Sequence, residues 1–255
     1  MLIQDTRAIV SGGASGLGLA VAELVVAAGG KVALFDVNDQ AGVAAVHRLG
    51  AAASFHKVDV TAESAVTAAV AAATTAMGRL NLAVSCAGVG WPKRMVGKEG
   101  TMPGDFFRKV IEINLIGTLL LCKEAAAAMQ QNTPNAAGER GALVMTASVA
   151  AFDGQIGQVA YAASKGGVVG MTLPMARELA SCGIRVVTIA PGLFMTPMLA
   201  ALPEEARDSL GKQVPFPPRL GQPSEYAQLV GQIVENPMLN GETIRLDGAI
   251  RMAPR

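Results

Sequence analysis

The sequence predicts an α/β fold: one doubly wound domain over residues 1–255, with a parallel sheet of about seven strands and helices on both faces. Three observations predict it. Short apolar runs alternate with longer helical ones along the whole chain. The short runs are apolar throughout rather than at every second position, which fits strands buried on both faces. Finally, the chain has 255 residues, 51% of them hydrophobic, enough for a sizeable core, and α/β domains commonly run to about 200–250 residues as one unit.

The elements follow in order. Ala8–Ser11 reads as a strand, Gly16–Ala28 as a helix, Lys31–Asp36 as a strand and about Asp39–Leu49 as a helix. Strands at Ala53–Lys57 and Leu80–Ser85 flank a helix at Ala62–Met77, whose alanines are the best helix formers. Glu124–Gln130 reads as helix for the same reason, and strands at Ala142–Ala147, Arg185–Ala190 and Thr243–Leu246 complete the set. Trp91–Asp105 and the proline-rich Pro191–Pro223 read as inserted loops. Substrate specificity is expected in loops 91–105 and 193–219.

Composition narrows the function classes. Lys and Arg number 21 against 20 Asp and Glu, for a net charge of +1, and no dense basic run is present. Nucleic acid is therefore not an expected partner, since phosphate binding relies on clustered cations. Cys86, Cys122 and Cys182 are odd in number and widely spaced, and His47 and His56 form no ligand pattern. Neither a disulfide framework nor a metal is expected. No apolar stretch reaches the roughly 18 uncharged residues of a membrane helix, and Met1–Arg7 is too short for the apolar core of a signal peptide. A cytoplasmic location and no membrane partner are expected.

A glycine-rich turn, Ser11-Gly12-Gly13-Ala14-Ser15-Gly16-Leu17-Gly18, stands between the first strand and the first helix. Taken alone it could be an ordinary tight turn. Between a strand and a helix it lets backbone approach a pyrophosphate, whose charge the helix N-terminus meets, as in Rossmann dinucleotide-binding folds. Asp36 ends the second strand about twenty residues on, where a carboxylate can accept from the adenosine ribose hydroxyls and would repel a 2′-phosphate. It could instead only cap the next helix. No Lys or Arg lies within Ser11–Gly18 or directly after Asp36, so NAD is expected rather than NADP.

Tyr161-Ala162-Ala163-Ser164-Lys165 opens a helical stretch and puts Tyr161 and Lys165 on one face. A phenol has an ordinary pKa of about 10, and a neighbouring ammonium favours the phenolate, bringing the group toward working pH as an acid/base. Ser148, thirteen positions earlier at a strand end, can hydrogen-bond a carbonyl oxygen facing that phenol.

In order, Gly12-x-x-x-Gly16-x-Gly18, Asp59-Val60, Ala87-Gly88, Asn114, Ser148, Tyr161-x-x-x-Lys165 and Pro191-Gly192 resemble the short-chain dehydrogenase/reductase pattern over essentially the whole chain. Longer runs, including Ala147–Phe152, Arg185–Phe194, Gln213–Pro217 and Asn240–Met252, resemble the type-2 3-hydroxyacyl-CoA dehydrogenases, also called type-10 17β-hydroxysteroid dehydrogenases.

The resemblance implies roles for particular positions. Ser15 and Leu17 touch the cofactor at the glycine turn, Asp36 its ribose, Asp59 and Val60 its adenine. Cys86, Ala87 and Gly88 lead toward the nicotinamide, with Phe194 beside it and Thr196 on its carboxamide. Lys165 holds the nicotinamide ribose and tunes Tyr161, Asn114 holds a water of the proton relay, and the family suggests a homotetramer. One position departs from the family: Ser85 stands where an Asn is expected, which puts that amide's hydrogen bonds in doubt. Cys86 is expected to pack beside the cofactor rather than act as a nucleophile.

The expected activity is NAD-dependent interconversion of a secondary alcohol and a ketone, with a short or branched 3-hydroxyacyl-CoA as substrate. Steroid or aryl alcohols are the alternative substrates, and an RNA-processing scaffold without turnover is the alternative of another class. Gln155, seven residues after Ser148, is expected to reach the substrate slot and bind a thioester, though it could equally be a solvated loop residue.

Overall fold

Strands and helices alternate from one end of the chain to the other in the computed structural model, which describes residues 1–98, 100–200 and 203–254, without the side chain of Met198. In chain order they are β1 (Arg7–Ser11), α1 (Gly16–Ala27), β2 (Lys31–Asp36), α2 (Asp39–Leu49), β3 (Ala53–Lys57), α3 (Glu63–Met77) and β4 (Leu82–Ser85). The two-residue strands β5 (Val96–Gly97) and β6 (Gly100–Thr101) follow, then α4 (Gly104–Ile111), α5 (Gly117–Gln130), β7 (Gly141–Thr146) and α6 (Val159–Ala180). The chain continues through β8 (Ile184–Pro191), α7 (Pro197–Ala200), α8 (Glu204–Gly211), α9 (Pro223–Glu235) and β9 (Thr243–Leu246).

Seven strands form one sheet in the order β3-β2-β1-β4-β7-β8-β9, every pairing parallel. Parallel neighbours need crossover helices, and these cover both faces. Helices α1, α2 and α9 pack on one face through residues such as Val21, Ala45 and Val230. Helices α3, α5 and α6 pack on the other through Val66, Leu121 and Val168. Strands β1, β4 and β7 are therefore apolar on both sides, and Ile9, Val10, Leu82 and Val144 are fully buried, each large side chain contributing roughly 1.5–3 kcal/mol. Strand order reverses between β1 and β4, the place where an open parallel sheet leaves a crevice at its C-terminal edge.

The strand predictions stand within two residues at every boundary, but three other segments differ. Residues Gly104–Gln130, of which the sequence indicated only Glu124–Gln130, run from α4 through a π-helical turn at Glu112–Ile116 into α5. The stretch read as a loop at Pro191–Pro223 contains α7 and α8, with Pro197 opening the first and Pro203 capping the second. Proline is tolerated at helix starts, where its missing N–H would have had no partner. The loop at Trp91–Asp105 carries the small antiparallel pair β5–β6. No described helix is long and apolar enough to cross a membrane.

Candidate active site

A cavity of about 1010 Å³ lies along the C-terminal edge of the sheet. Every predicted site residue except Asn114 lines it: the glycine turn, Asp36, Asp59, Val60, Cys86, Ala87, Gly88, Ser148, Gln155, Tyr161, Lys165, Pro191, Phe194 and Thr196.

The glycine turn is shaped by close backbone approach. Gly12 has φ +63°, and a Cβ there would stand 2.8 Å from the Ala87 nitrogen. A Cβ on Gly18 would strike the Gly12 carbonyl oxygen. Both positions thus require glycine, and α1 begins at Gly16 with its N-terminal N–H groups toward the cavity edge. Across the turn, Asp36 Oδ2 accepts from Ala14 N at 3.2 Å and Oδ1 from Asn38 N at 3.0 Å. The carboxylate thus braces both the turn and the next helix while lining the cavity. Among the described lining residues around it, Ser15, Phe35, Val37, Val58 and Asp59, none is cationic. Asp59 Oδ1 accepts from Thr61 N at 2.9 Å and Thr61 Oγ1 at 2.7 Å, fixing the turn that presents Val60. A backbone cradle that side chains would fill, beside a helix N-terminus, fits a nicotinamide dinucleotide.

At the other end, Ser148 leaves β7 in an extended conformation and caps a short turn, its Oγ accepting from Ala150 N at 3.1 Å. Tyr161 lies in the first turn of α6, and the Lys165 ammonium one turn on sits 5.8 Å from the centre of the phenol ring. Lys165 Nζ donates to the Thr146 carbonyl at 2.8 Å. Burial pushes the Tyr161 phenol above its ordinary value, and the hydrogen bond from Ser148 pulls the other way. In this ligand-free site burial outweighs the neighbouring ammonium, whose Nζ is hydrogen-bonded to the Thr146 carbonyl. Burial also lowers Lys165 to about 8.

Asn114 stands apart, fully buried in the π-helical turn. Its Nδ2 donates to the Val89 carbonyl at 2.9 Å and to Ser164 Oγ at 3.0 Å, and Oδ1 accepts from Val89 N at 2.8 Å. The side chain therefore clamps the segment after β4 to α6. An amide oxygen can accept a second bond, and Oδ1 and Lys165 Nζ both lie beside Gly88, where an added Cβ would stand 3.1 and 3.5 Å from them.

Other predicted residues are held as follows. Cys86 is packed against the cavity with its thiol pushed up by burial, in keeping with an inert side chain. The Ser85 hydroxyl is buried without a hydrogen-bond partner among the described residues, so the bonds expected of an Asn there are not replaced among them. Gln155 Nε2 donates to the Ala253 carbonyl at 2.9 Å, next to Ile156 N and the Pro254 carbonyl at 3.0 Å. Those two bonds strap the C-terminal segment over the cavity and place Met252 in its wall. Sequence reasoning missed Met252, Thr146 and Gln158 as lining residues. The first two lie inside or beside the quoted motif runs, which was the available signal, whereas nothing in the sequence marks Gln158.

Comparison with known proteins agrees with this geometry. The family described as short chain dehydrogenase matches residues 6–207. The 3-hydroxyacyl-CoA dehydrogenase type-2 of Homo sapiens is 53% identical over 254 residues, covering 99% of this chain and 97% of the relative. Its Drosophila melanogaster counterpart of the same name is 52% identical over 255 residues, covering 99% and 100%. The crystal structure of 3-hydroxyacyl-CoA dehydrogenase type-2 from Mycobacterium avium superposes with a TM-score of 0.92 at 44% identity, covering 99% of this chain and 98% of that one. The chain belongs to the short-chain dehydrogenase family and is an oxidoreductase.

Proposed function

We propose that the protein interconverts a 3-hydroxyacyl-CoA of short or branched chain and its 3-ketoacyl-CoA, with NAD as cofactor. The observation that carries the reading is the meeting of Ser148, Tyr161 and Lys165 at one end of a cavity whose other end has a glycine cradle and the Asp36 carboxylate, with no cation among the described residues lining the wall beside it. The relatives' shared name supports the substrate class.

The bound nicotinamide supplies the hydride acceptor or donor. In oxidation, Tyr161 Oη takes the hydroxyl proton while Ser148 Oγ fixes the oxygen; in reduction, the same phenol returns the proton. Burial raises the Tyr161 phenol and so favours its protonated, donating form; in oxidation the phenol must first give up its proton to act as acceptor. Lys165 holds a positive charge beside the phenol and toward the nicotinamide ribose, and Asn114 Oδ1 holds a relay water through its free lone pair. Gly12, Ser15, Gly16, Leu17 and Gly18 hold the pyrophosphate, Asp36 the ribose, Asp59 and Val60 the adenine, and Cys86 through Gly88 with Pro191, Phe194 and Thr196 the nicotinamide end. Gln155 presents its amide oxygen to the thioester while Nε2 stays on Ala253.

A homotetramer is the proposed assembly, supported by the family and by exposed Leu119, Val159 and Leu173 on α5 and α6. A cytoplasmic location fits the three free cysteines. The test is a panel of acetoacetyl-CoA, an aryl ketone and a 17-ketosteroid at saturating NADH. Acetoacetyl-CoA is expected to give the highest kcat/KM; the lowest of the three would overturn the acyl-CoA assignment.

A further inference from the structure

Behind the site Cys86, Thr146 and Tyr226 form a closed ring of side chains, and the proposed chemistry gives no role to Thr146 or Tyr226. Tyr226, on α9, is fully buried. Its Oη and Thr146 Oγ1 are 2.7 Å apart. Thr146 Oγ1 donates to Cys86 Sγ at 3.5 Å, and Cys86 Sγ donates to Tyr226 Oη at 3.8 Å. Each group has one hydrogen to give. With Tyr226 donating to Thr146, every member donates once and accepts once, and the hydrogens circulate in one direction.

The ring spans elements that are far apart in sequence and lies on one face of the sheet. Tyr226 belongs to the core formed with α1 and α2, and Cys86 packs against that same core. Lys165 comes from α6 on the opposite face. The two meet at one peptide: the residue whose hydroxyl is in the ring, Thr146, offers its carbonyl to Lys165 Nζ at 2.8 Å. A buried ammonium is sensitive to its acceptors, because water is not there to replace a misplaced one.

We propose that Tyr226 is a positioning residue for the reaction: through Thr146 and Cys86 it fixes the Thr146 peptide that receives the Lys165 ammonium, so that α9, behind the sheet, holds the lysine in front of it. The proposal rests on the assignment of Lys165 to the reaction made above. The groups around Nζ are few. Tyr161 on its own helix and Cys86, just after β4, are titratable, Asn114 Oδ1 and the Thr146 carbonyl are neutral acceptors, and Tyr226 acts through the ring. Loosening the Thr146 carbonyl weakens the only neutral acceptor bonded to the ammonium among the described residues. The uncharged form then gains, and Lys165 titrates at lower pH.

Tyr226→Phe keeps the aromatic packing and removes the hydroxyl, and Thr146→Val keeps the shape and the peptide while removing the hydroxyl from the other side. Two readouts are taken on each variant and on the double variant. One is kcat for acetoacetyl-CoA reduction with NADH. The other is the titration of Lys165 in the cofactor-free protein, followed by NMR of lysine labelled at Cε and identified by the signal lost in Lys165→Met. The expected result is a fall in kcat of about ten-fold in each single variant. The double variant should be no worse than either, because both changes open the same ring. The Lys165 titration should move to lower pH in all three. Lowered melting temperatures with kcat within about two-fold of wild type and an unmoved Lys165 titration would overturn the proposal and leave the ring a packing device. If the wild type does not reduce acetoacetyl-CoA, the substrate assignment fails on its own, and the lysine titration alone decides the role of Tyr226.

Discussion

Both edges of the sheet carry buried polar side chains, and the two do opposite things with them. At the N-terminal edge, Arg185 at the start of β8 pairs with Glu139 at 2.7 Å and donates to the carbonyls of Ile233, Val234 and Leu239 at 2.7–3.0 Å, capping the end of α9. Asn81 Oδ1 accepts from Arg7 N at 2.7 Å, and Asn132 Nδ2 donates to the carbonyls of Leu80 and Arg140 at 2.6 and 3.0 Å. These side chains are used up closing backbone groups. At the C-terminal edge, Ser148, Tyr161 and Lys165 are as well placed but keep hydrogen-bonding capacity directed into a cavity. The difference teaches that burial of polar groups marks a reactive site only where their capacity is left over; where it is fully spent, it marks a structural clamp.

The contrast makes four quantitative predictions. The largest concerns the closed edge: Glu139→Ala leaves the Arg185 guanidinium buried without its carboxylate and should cost about 3–5 kcal/mol of stability. At temperatures well below melting, kcat should change by less than about two-fold. Denaturant unfolding checks the first and initial rates the second, and a large kcat loss in a stably folded variant would break the division between the edges. At the open edge, Asp36 should favour NAD over NADP in kcat/KM by at least about 100-fold, or roughly 2.7 kcal/mol; equal use of both would remove the carboxylate from cofactor choice.

Next comes pH. Burial lowers Lys165 to about 8, so its charge is present below that pH and lost above it. Ketone reduction needs the protonated phenol and the cation together. Its kcat/KM should be level at neutral pH and fall by up to about ten-fold per pH unit on the alkaline side. A profile level to pH 10 would mean that the charge of Lys165 is not required. The smallest effect belongs to Ser85, whose buried hydroxyl has no partner among the described residues. Ser85→Ala should be neutral or stabilising by up to about 1 kcal/mol, a rise in Tm of roughly 2–4 °C. A clear loss of stability would show that the hydroxyl is satisfied after all.

Much of this was legible in the sequence, because the signals were local. Lys31–Asp36, Ala53–Lys57 and Thr243–Leu246 are strands as read. The glycine turn and the Tyr161–Lys165 spacing each specify a geometry within a few residues. What escaped depends on distant contacts. Gly104–Gln130 was legible only in its alanine-rich end, since its π-helical turn breaks the helical period. Prolines in 191–223 read as breakers although Pro197, Pro203 and Pro223 stand at helix starts. Tyr226 lies in an apolar helical run where an aromatic reads as core, and its partner Thr146 is 80 positions away. The burial that raises the Tyr161 phenol was also out of reach, because spacing shows the neighbouring ammonium but not the depth of burial.

The central claim, that the open edge is a proton- and hydride-transfer site built on Tyr161, is tested most directly by kcat of Tyr161→Phe under saturating NADH and ketone. The substitution removes the proton donor and keeps the ring. The account predicts a loss of about 10²–10⁴-fold, with NADH affinity and melting temperature near wild type. Retention of more than about a tenth of the wild-type kcat, a barrier change below roughly 1.4 kcal/mol, would contradict it.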